Sequence, residues 1–175
     1  NTNSPTATLV TNPLTVVSNV TINTGGTLNS NTQNITLGGN WTNNGTFNQV
    51  TNTVTFNSAS STTQALGGTT PTTFYNLTIN NTGTGGVTQN TAATVSNVYA
   101  AQNGKFLLNA LTLTLTNAAP AAMVRTNGYI VSENTGNLGK IQWNMGSTTG
   151  AHLFPFGTSA GTYIPFTFNL TAGTP

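Results

Sequence analysis

Asn34-Ile35-Thr36-Leu37, Thr53-Val54-Thr55-Phe56 and Asn76-Leu77-Thr78-Ile79 are three copies of one four-residue word, x-[VIL]-T-[ILF]. The word returns at Asn19-Val20-Thr21-Ile22 and at Thr112-Leu113-Thr114-Leu115. Each copy alternates apolar and Thr side chains, so a strand built from it has one face for a core and one for water. Thr suits the outer face because its β-branched side chain tolerates a pleated sheet. Leu14-Thr15-Val16 has the same alternation, and Leu111 to Thr116 carries it furthest.

The copies start 15, 19, 23 and 36 residues apart, and the last gap fits two periods. Ala93-Thr94-Val95-Ser96-Asn97-Val98 or Lys105-Phe106-Leu107-Leu108 can fill the missing one. A period of this size is too short for a βαβ unit, which takes about 30 residues. It suits a coil of two or three short strands per turn, with successive turns stacked as parallel sheets about 4.8 Å apart. Stacking places Val20, Ile35, Val54 and Leu77 in one inward column and Ile22, Leu37, Phe56 and Ile79 in the next. Asn residues flank the copies, and at the corners their amides can hydrogen-bond in ladders along the axis.

The expected fold is therefore all-β, a parallel β-solenoid. The competing architecture is a β-sandwich, with strands every 8–12 residues joined by hairpins. Asn-Gly at 44–45, 103–104 and 127–128 would supply the hairpin turns. The recurrence of one word favours the coil. Thr, Asn and Gly are poor helix formers, and no stretch shows a sustained 3.6-residue apolar period.

Outside the repeats, composition excludes several functions. Thr (39), Asn (27) and Gly (19) make up 85 of 175 residues. Only Lys105, Lys140, Arg125 and Glu133 are ionised at neutral pH; Asp and Cys are absent, and His152 is the single His. One carboxylate is too few for the acid/base pair of glycoside hydrolysis or for a calcium cage. One His without Cys cannot assemble a zinc or iron–sulfur centre. Three basic residues are too few to grip a nucleic-acid backbone or an anionic membrane. No catalytic, cofactor-binding or metal-ligating residues are expected, and no cofactor. A net charge of +2 leaves little self-repulsion between copies, so self-association or packing against neighbouring domains of a longer chain is the expected partnership. Neither nucleic acid nor membrane insertion is expected.

Composition shifts near Ala118-Ala119-Pro120. Three of the four charges and seven of the fourteen aromatics lie beyond it, among them Tyr129, Trp143, Phe154 and Phe156. A stacked coil exposes its last turn, which larger apolar side chains must cover. Residues 1–120 are therefore expected to form the repeats, and 121–175 an aromatic-rich β cap or the beginning of a further β domain. The ending Thr171-Ala172-Gly173-Thr174-Pro175 reads as a turn, consistent with a piece of a longer protein. No charged and apolar leader opens the chain, so any signal peptide has been removed or was not included.

The longer word Asn34-Ile35-Thr36-Leu37-Gly38-Gly39-Asn40-Trp41-Thr42-Asn43-Asn44-Gly45-Thr46-Phe47 is followed by Thr53-Val54-Thr55-Phe56-Asn57 and Thr73-Phe74-Tyr75-Asn76-Leu77-Thr78-Ile79-Asn80. This resembles the repetitive region of large secreted surface proteins of Bacteroidota-type bacteria, many exported by the type IX route. Gly128-Tyr129-Ile130-Val131-Ser132-Glu133, Phe154-Pro155-Phe156-Gly157-Thr158 and Tyr163-Ile164-Pro165-Phe166 resemble the segment that follows those repeats. The resemblance covers about residues 14–168. It implies a right-handed parallel β-helix outside the cell, in a stalk, adhesin or filament, and it carries no shared catalytic residues.

Sharper site readings have blander competitors. His152 with Glu133 and a Ser can be drawn as a triad, but no spacing or elbow motif supports it. Gly83-Thr84-Gly85-Gly86 and Gly104-Lys105 lack the spacing of a phosphate loop and read as turns. Seven Asn-x-Ser/Thr sequons, at Asn19, Asn34, Asn40, Asn44, Asn76, Asn80 and Asn169, match what composition alone produces. Trp41 and Tyr75 could stack on a surface glycan, yet a Trp after Gly38-Gly39 is more often folded onto the core. Thr-x-Thr pairs at 6–8, 53–55, 112–114 and 114–116 suggest an ice-binding face. The expected function is a non-enzymatic structural module of an extracellular fibre, stalk or adhesin. The alternative is a solenoid binding ice or a surface glycan along a flat Thr-rich face.

Overall fold

The structure, a computed structural model, describes residues 4–134 and 136–172. The chain is an all-β parallel solenoid of about six turns. The first turn comprises β1 (Thr6–Thr8), β2 (Leu14–Val16) and β3 (Val20–Ile22). The second comprises β4 (Thr27–Asn29), β5 (Ile35–Leu37) and β6 (Trp41–Asn43), and the third β7 (Thr46–Asn48), β8 (Thr53–Phe56) and β9 (Gln64–Gly67). In the next two turns the first two strands run together, as β10 (Thr72–Asn80) with β11 (Val87–Gln89), then β12 (Ala93–Asn103) with β13 (Lys105–Leu107). The sixth turn is β14 (Thr112–Leu115), β15 (Met123–Arg125) and β16 (Tyr129–Val131). A small hairpin of β17 (Glu133–Asn134) and β18 (Asn137–Leu138) follows, then β19 (Lys140–Trp143), β20 (Gly150–Phe154) and β21 (Phe166–Leu170).

Three faces run along the rod. The second is continuous: Leu14, Ile35, Val54, Leu77, Tyr99 and Met123 are successive register partners, with steps of 21, 19, 23, 22 and 24 residues. Val16, Leu37, Phe56, Ile79 and Ala101 form the neighbouring inward column. Ile35, Leu37, Val54, Phe56 and Leu77 are fully buried, so the core is a narrow stack of like on like.

One expectation needs correction. Val20 and Ile22 do not head these columns. They lie on the third face, where Val20 pairs with Trp41 and Ile22 with Asn43, and Leu14-Thr15-Val16 takes the expected place on the second. Leu113 likewise belongs to the first face, after Ala93. The physical reason is that the four-residue word describes any strand with one buried side, and all three faces have such strands. Ala93–Val95 thus fills the missing period before Leu113–Leu115 on the first face, whereas Lys105–Leu107 lies on the third. Parallel pairing continues beyond the composition shift at Pro120, through β15, β16 and β19 and on to the parallel bridge Ile130–Phe156. Turns after Pro120 still have strands below them to pair with, whatever their composition.

The Asn-Gly dipeptides turn corners between faces and do not close hairpins. Residues 44–45 join β6 to β7, and 103–104 join β12 to β13. Gly104 adopts φ +74°, and a Cβ there would strike the backbone oxygen of Asn81. Among the described residues, antiparallel pairing is confined to β17 with β18, β20 with β21, and the bridge Gly157–Tyr163.

The first face is interrupted. β1, β4 and β7 form a sheet of their own, and β7 makes no ladder with β10. An aromatic trio spans the gap: Trp41 meets Phe47 edge-on at 4.8 Å and Phe74 at 5.5 Å. At the far end, Trp143 packs against His152 at 4.9 Å and Phe154 at 5.4 Å, and Phe154 meets Phe166 at 5.8 Å. β20 thus lays aromatic side chains over the end of the stack.

Polar groups inside the rod are mostly paired. Gln64 Nε2 donates to the Gly39 oxygen at 2.7 Å, and its Oε1 accepts from Asn81 Nδ2 at 2.8 Å. The buried Tyr99 hydroxyl has no partner, and burial pushes its pKa well above the usual tyrosine value. The fold keeps this proton, whereas an unfolded chain releases it above about pH 10. Titration of Tyr99 therefore leaves stability intact below that pH and lowers it progressively as pH rises beyond it. Tyr99→Phe is expected to hold or raise stability at neutral pH by about 1 kcal/mol and to flatten the alkaline loss. Urea titrations from neutral to strongly alkaline pH measure both; a steeper alkaline loss in the variant contradicts the assignment.

Candidate functional surface

Stacking in register places identical outward residues one above another. On the second face, Thr15, Thr36, Thr55 and Thr78 are successive partners, continued by Ala100 and Val124. On the first face, Thr6, Thr27 and Thr46 align, and beyond the interruption Thr73, Thr94 and Thr114 align. The third face carries Thr21 over Thr42 and then Gly67.

Asn ladders follow the corners. After the second face, Asn103 Nδ2 donates to Asn80 Oδ1 at 2.7 Å, Asn127 Nδ2 to Asn103 Oδ1 at 3.3 Å, and Asn80 Nδ2 to Asn57 Oδ1 at 3.5 Å. Between the first and second faces, Asn97 Nδ2 donates to Asn76 Oδ1 at 2.8 Å and Asn117 Nδ2 to Asn97 Oδ1 at 3.2 Å. In the lower turns side chains reach backbone: Asn34 Oδ1 accepts from the Thr53 amide at 2.8 Å, and Asn19 Oδ1 from the Asn40 amide at 2.7 Å. Asn is the residue for this position because its amide both donates and accepts, so one rung feeds the next. The flanking Asn in the repeated words was the sequence signal for these ladders.

The residues considered for chemistry are dispersed. His152 is buried, with Nδ1 3.1 Å from the Gly150 oxygen and Nε2 3.0 Å from the Ala118 oxygen; it seats β20 on the segment before Pro120. Glu133 lies on the exposed small hairpin, beside a surface cavity of about 360 Å³ lined also by Ser132, Phe156, Thr158 and Ile164. Trp41 is fully buried, and its Nε1 donates to Thr72 Oγ1 at 3.2 Å; it belongs to the core and is no sugar platform. Tyr75 is half-buried on β10. Gly86 and Gly104 turn corners with positive φ. Arg125 was not singled out for a role; it donates to the Gly128 oxygen at 2.8 Å and lies 3.7 Å over the Tyr163 ring, tying the sixth turn to the segment beyond it. Among the described residues, no three His, Cys, Asp or Glu side chains gather where they could hold a metal ion, and no helix is long and apolar enough to cross a membrane.

Comparison with protein-family models, with curated proteins and with solved structures gives no match in any of the three.

The corner ladder makes a graded prediction. Asn80→Ala removes a middle rung and both of its bonds, and is expected to cost about 1–2 kcal/mol. Asn127→Ala removes an end rung and is expected to cost about 0.5 kcal/mol. Denaturant midpoints compare the two, and equal costs would show that the rungs do not act as a ladder.

Proposed function

We propose that this chain is a non-enzymatic structural module of an extracellular fibre, stalk or adhesin, packing against copies of itself or neighbouring domains through a nearly uncharged Thr/Asn surface. The observation that carries the reading is the continuous turn-to-turn pairing on the second and third faces, reinforced at the corners by the Asn ladders. Each junction between turns loads backbone bonds on several faces together, so a pull along the rod is spread over many weak bonds. Such a construction gives a stiff spacer about 30 Å long for six turns. The resemblance of its words to repeats of secreted surface proteins supports the placement outside the cell.

A second reading rests on the aligned Thr15, Thr36, Thr55 and Thr78. A regular hydroxyl array at strand spacing is suited to a repetitive ligand such as ice or a surface glycan. It has a single continuous Thr column, because among its outward neighbours along each strand only Thr53 is another Thr.

Electron microscopy of native material separates the two. Filaments, stalks or rods containing this chain are the expected result. Isolated monomers that depress the growth of ice crystals, or that are retained on a glycan array, would replace the structural reading with the ligand reading.

A further inference from the structure

The second face alone combines an unbroken ladder with an uncharged outward column. The second and third ladders both run unbroken from the first turn to the sixth, whereas the first face is interrupted after β7. The third face is crossed by Lys105, whose Nζ reaches the Ser159 oxygen at 3.4 Å. Among the described residues, no ionised side chain projects from the outward column of the second face. Arg125 alone shares its strands, and its guanidinium is occupied by the Gly128 and Asn127 oxygens and the Tyr163 ring.

Relief along this face is uneven in a self-complementary way. Val17, just after β2 in the first turn, is 93% exposed, and Val124, in the outward column of the sixth, is 42% exposed. Near the middle, Thr55 is half-buried and Thr78, one turn on, is recessed at 6%. A two-fold axis parallel to the strands turns the rod end for end and brings this face onto itself. The first turn of one copy then lies over the sixth of the other, and the third over the fourth. Val17 comes within one pleat of the partner's Val124, and Thr55 stands over the recess at the partner's Thr78.

We propose that the second face is an interface with a second copy of this chain, packed face to face with the rods antiparallel. The inference rests on the self-packing reading above and deepens it by naming the face and the direction. Two features select a copy of the chain as the occupant. Identical rods share one axial repeat, so every rung meets a rung without accumulating mismatch. The contact also brings together no like charges. Six turns at about 4.8 Å by five residues at about 3.4 Å cover about 500 Å² per copy, about 1,000 Å² in all, the lower limit for a specific contact. One pair is therefore weak, and longer rods multiply the contact.

Sedimentation velocity across a concentration series tests the face. Wild type is expected to associate reversibly. Thr36→Lys with Thr55→Lys, on the second face, is expected to weaken association tenfold or more, while Thr94→Lys with Thr114→Lys, on the first face, leaves it unchanged. Unchanged thermal melts by circular dichroism verify that both variants fold. If the first-face pair abolishes association, or neither pair does, this interface is wrong while self-packing stands. If wild type stays monomeric at its highest soluble concentration, the self-packing reading falls as well. The absence of Cys gives an independent check of direction that needs no charge substitution. Under oxidation, a mixture of Thr36→Cys and Ala100→Cys chains is expected to form mixed cross-linked pairs, and Thr36→Cys alone is not. Efficient pairing of Thr36→Cys with itself would make the rods parallel and overturn the proposed direction.

Discussion

Backbone pairing between one turn and the next, in parallel and in register, is the constraint from which the remaining features follow. Once the strand of one turn is bonded to the strand below, a residue inherits the environment of its predecessor about 20 residues earlier. An inward Leu must be followed by another inward apolar residue, as in Leu37, Phe56 and Ile79. An outward Thr sits over an outward Thr. A corner Asn faces another Asn whose amide is turned the same way, so the ladder forms from the same geometry. The composition is thus a product of the fold: three faces, a narrow core and many corners require few large apolar residues and many Thr, Asn and Gly.

The repeat architecture was legible because register copies words. Three consecutive copies of one word at similar spacing leave a coil as the simplest packing, and the Asn beside them marked the ladders. The sequence was less informative about which face a word occupies. Val20-Thr21-Ile22 and Leu113-Thr114-Leu115 satisfy the pattern of Ile35-Thr36-Leu37 yet lie on other faces, because a local pattern records burial and not position around the turn. The composition shift does not mark where the ladders stop, for a related reason. Aromatics and charges after Pro120 signalled a change, but β15, β16 and β19 continue the ladders. Composition responds to what lies outside a strand as well as to its partner, and here the aromatic covering begins before the stacking stops. The outward column was legible where the words are consecutive, at Thr36, Thr55 and Thr78, but not its ends at Thr15, Ala100 and Val124, which depend on register across gaps of unequal length.

The interior has a cost that the ladders offset. Turning three corners per turn with so few apolar residues pulls amides inward, and Gln64, Asn81 and Asn43 are all buried. Asn81 is held by Gln64 and the Gly86 oxygen, and Asn43 by the Thr72 hydroxyl and the Gly45 amide. A buried amide left without such partners costs more than its bond would have contributed, which explains why these side chains serve corner backbone that no strand satisfies. Charge is handled by exclusion. Its few carriers stand at the upper turns and beside the aromatic covering, away from the long columns of the lower rod.

The lapse in pairing between β7 and β10 gives the rod an uneven grain. Every other junction along the first face, from β1 to β7 and from β10 to β19, is stitched by a backbone ladder, but this one is bridged by the rings of Trp41, Phe47 and Phe74 and by Trp41 Nε1 and Asn43 Nδ2 donating to Thr72 Oγ1. Side-chain packing of this kind yields gradually when sheared, whereas a hydrogen-bonded seam holds until it breaks. The lower three turns and the upper ones are thus held by backbone on the second and third faces and by side chains on the first, a joint softer on that one side. In an assembly under bending, that joint absorbs curvature first, so a chain of such rods would flex at regular intervals like a jointed cane.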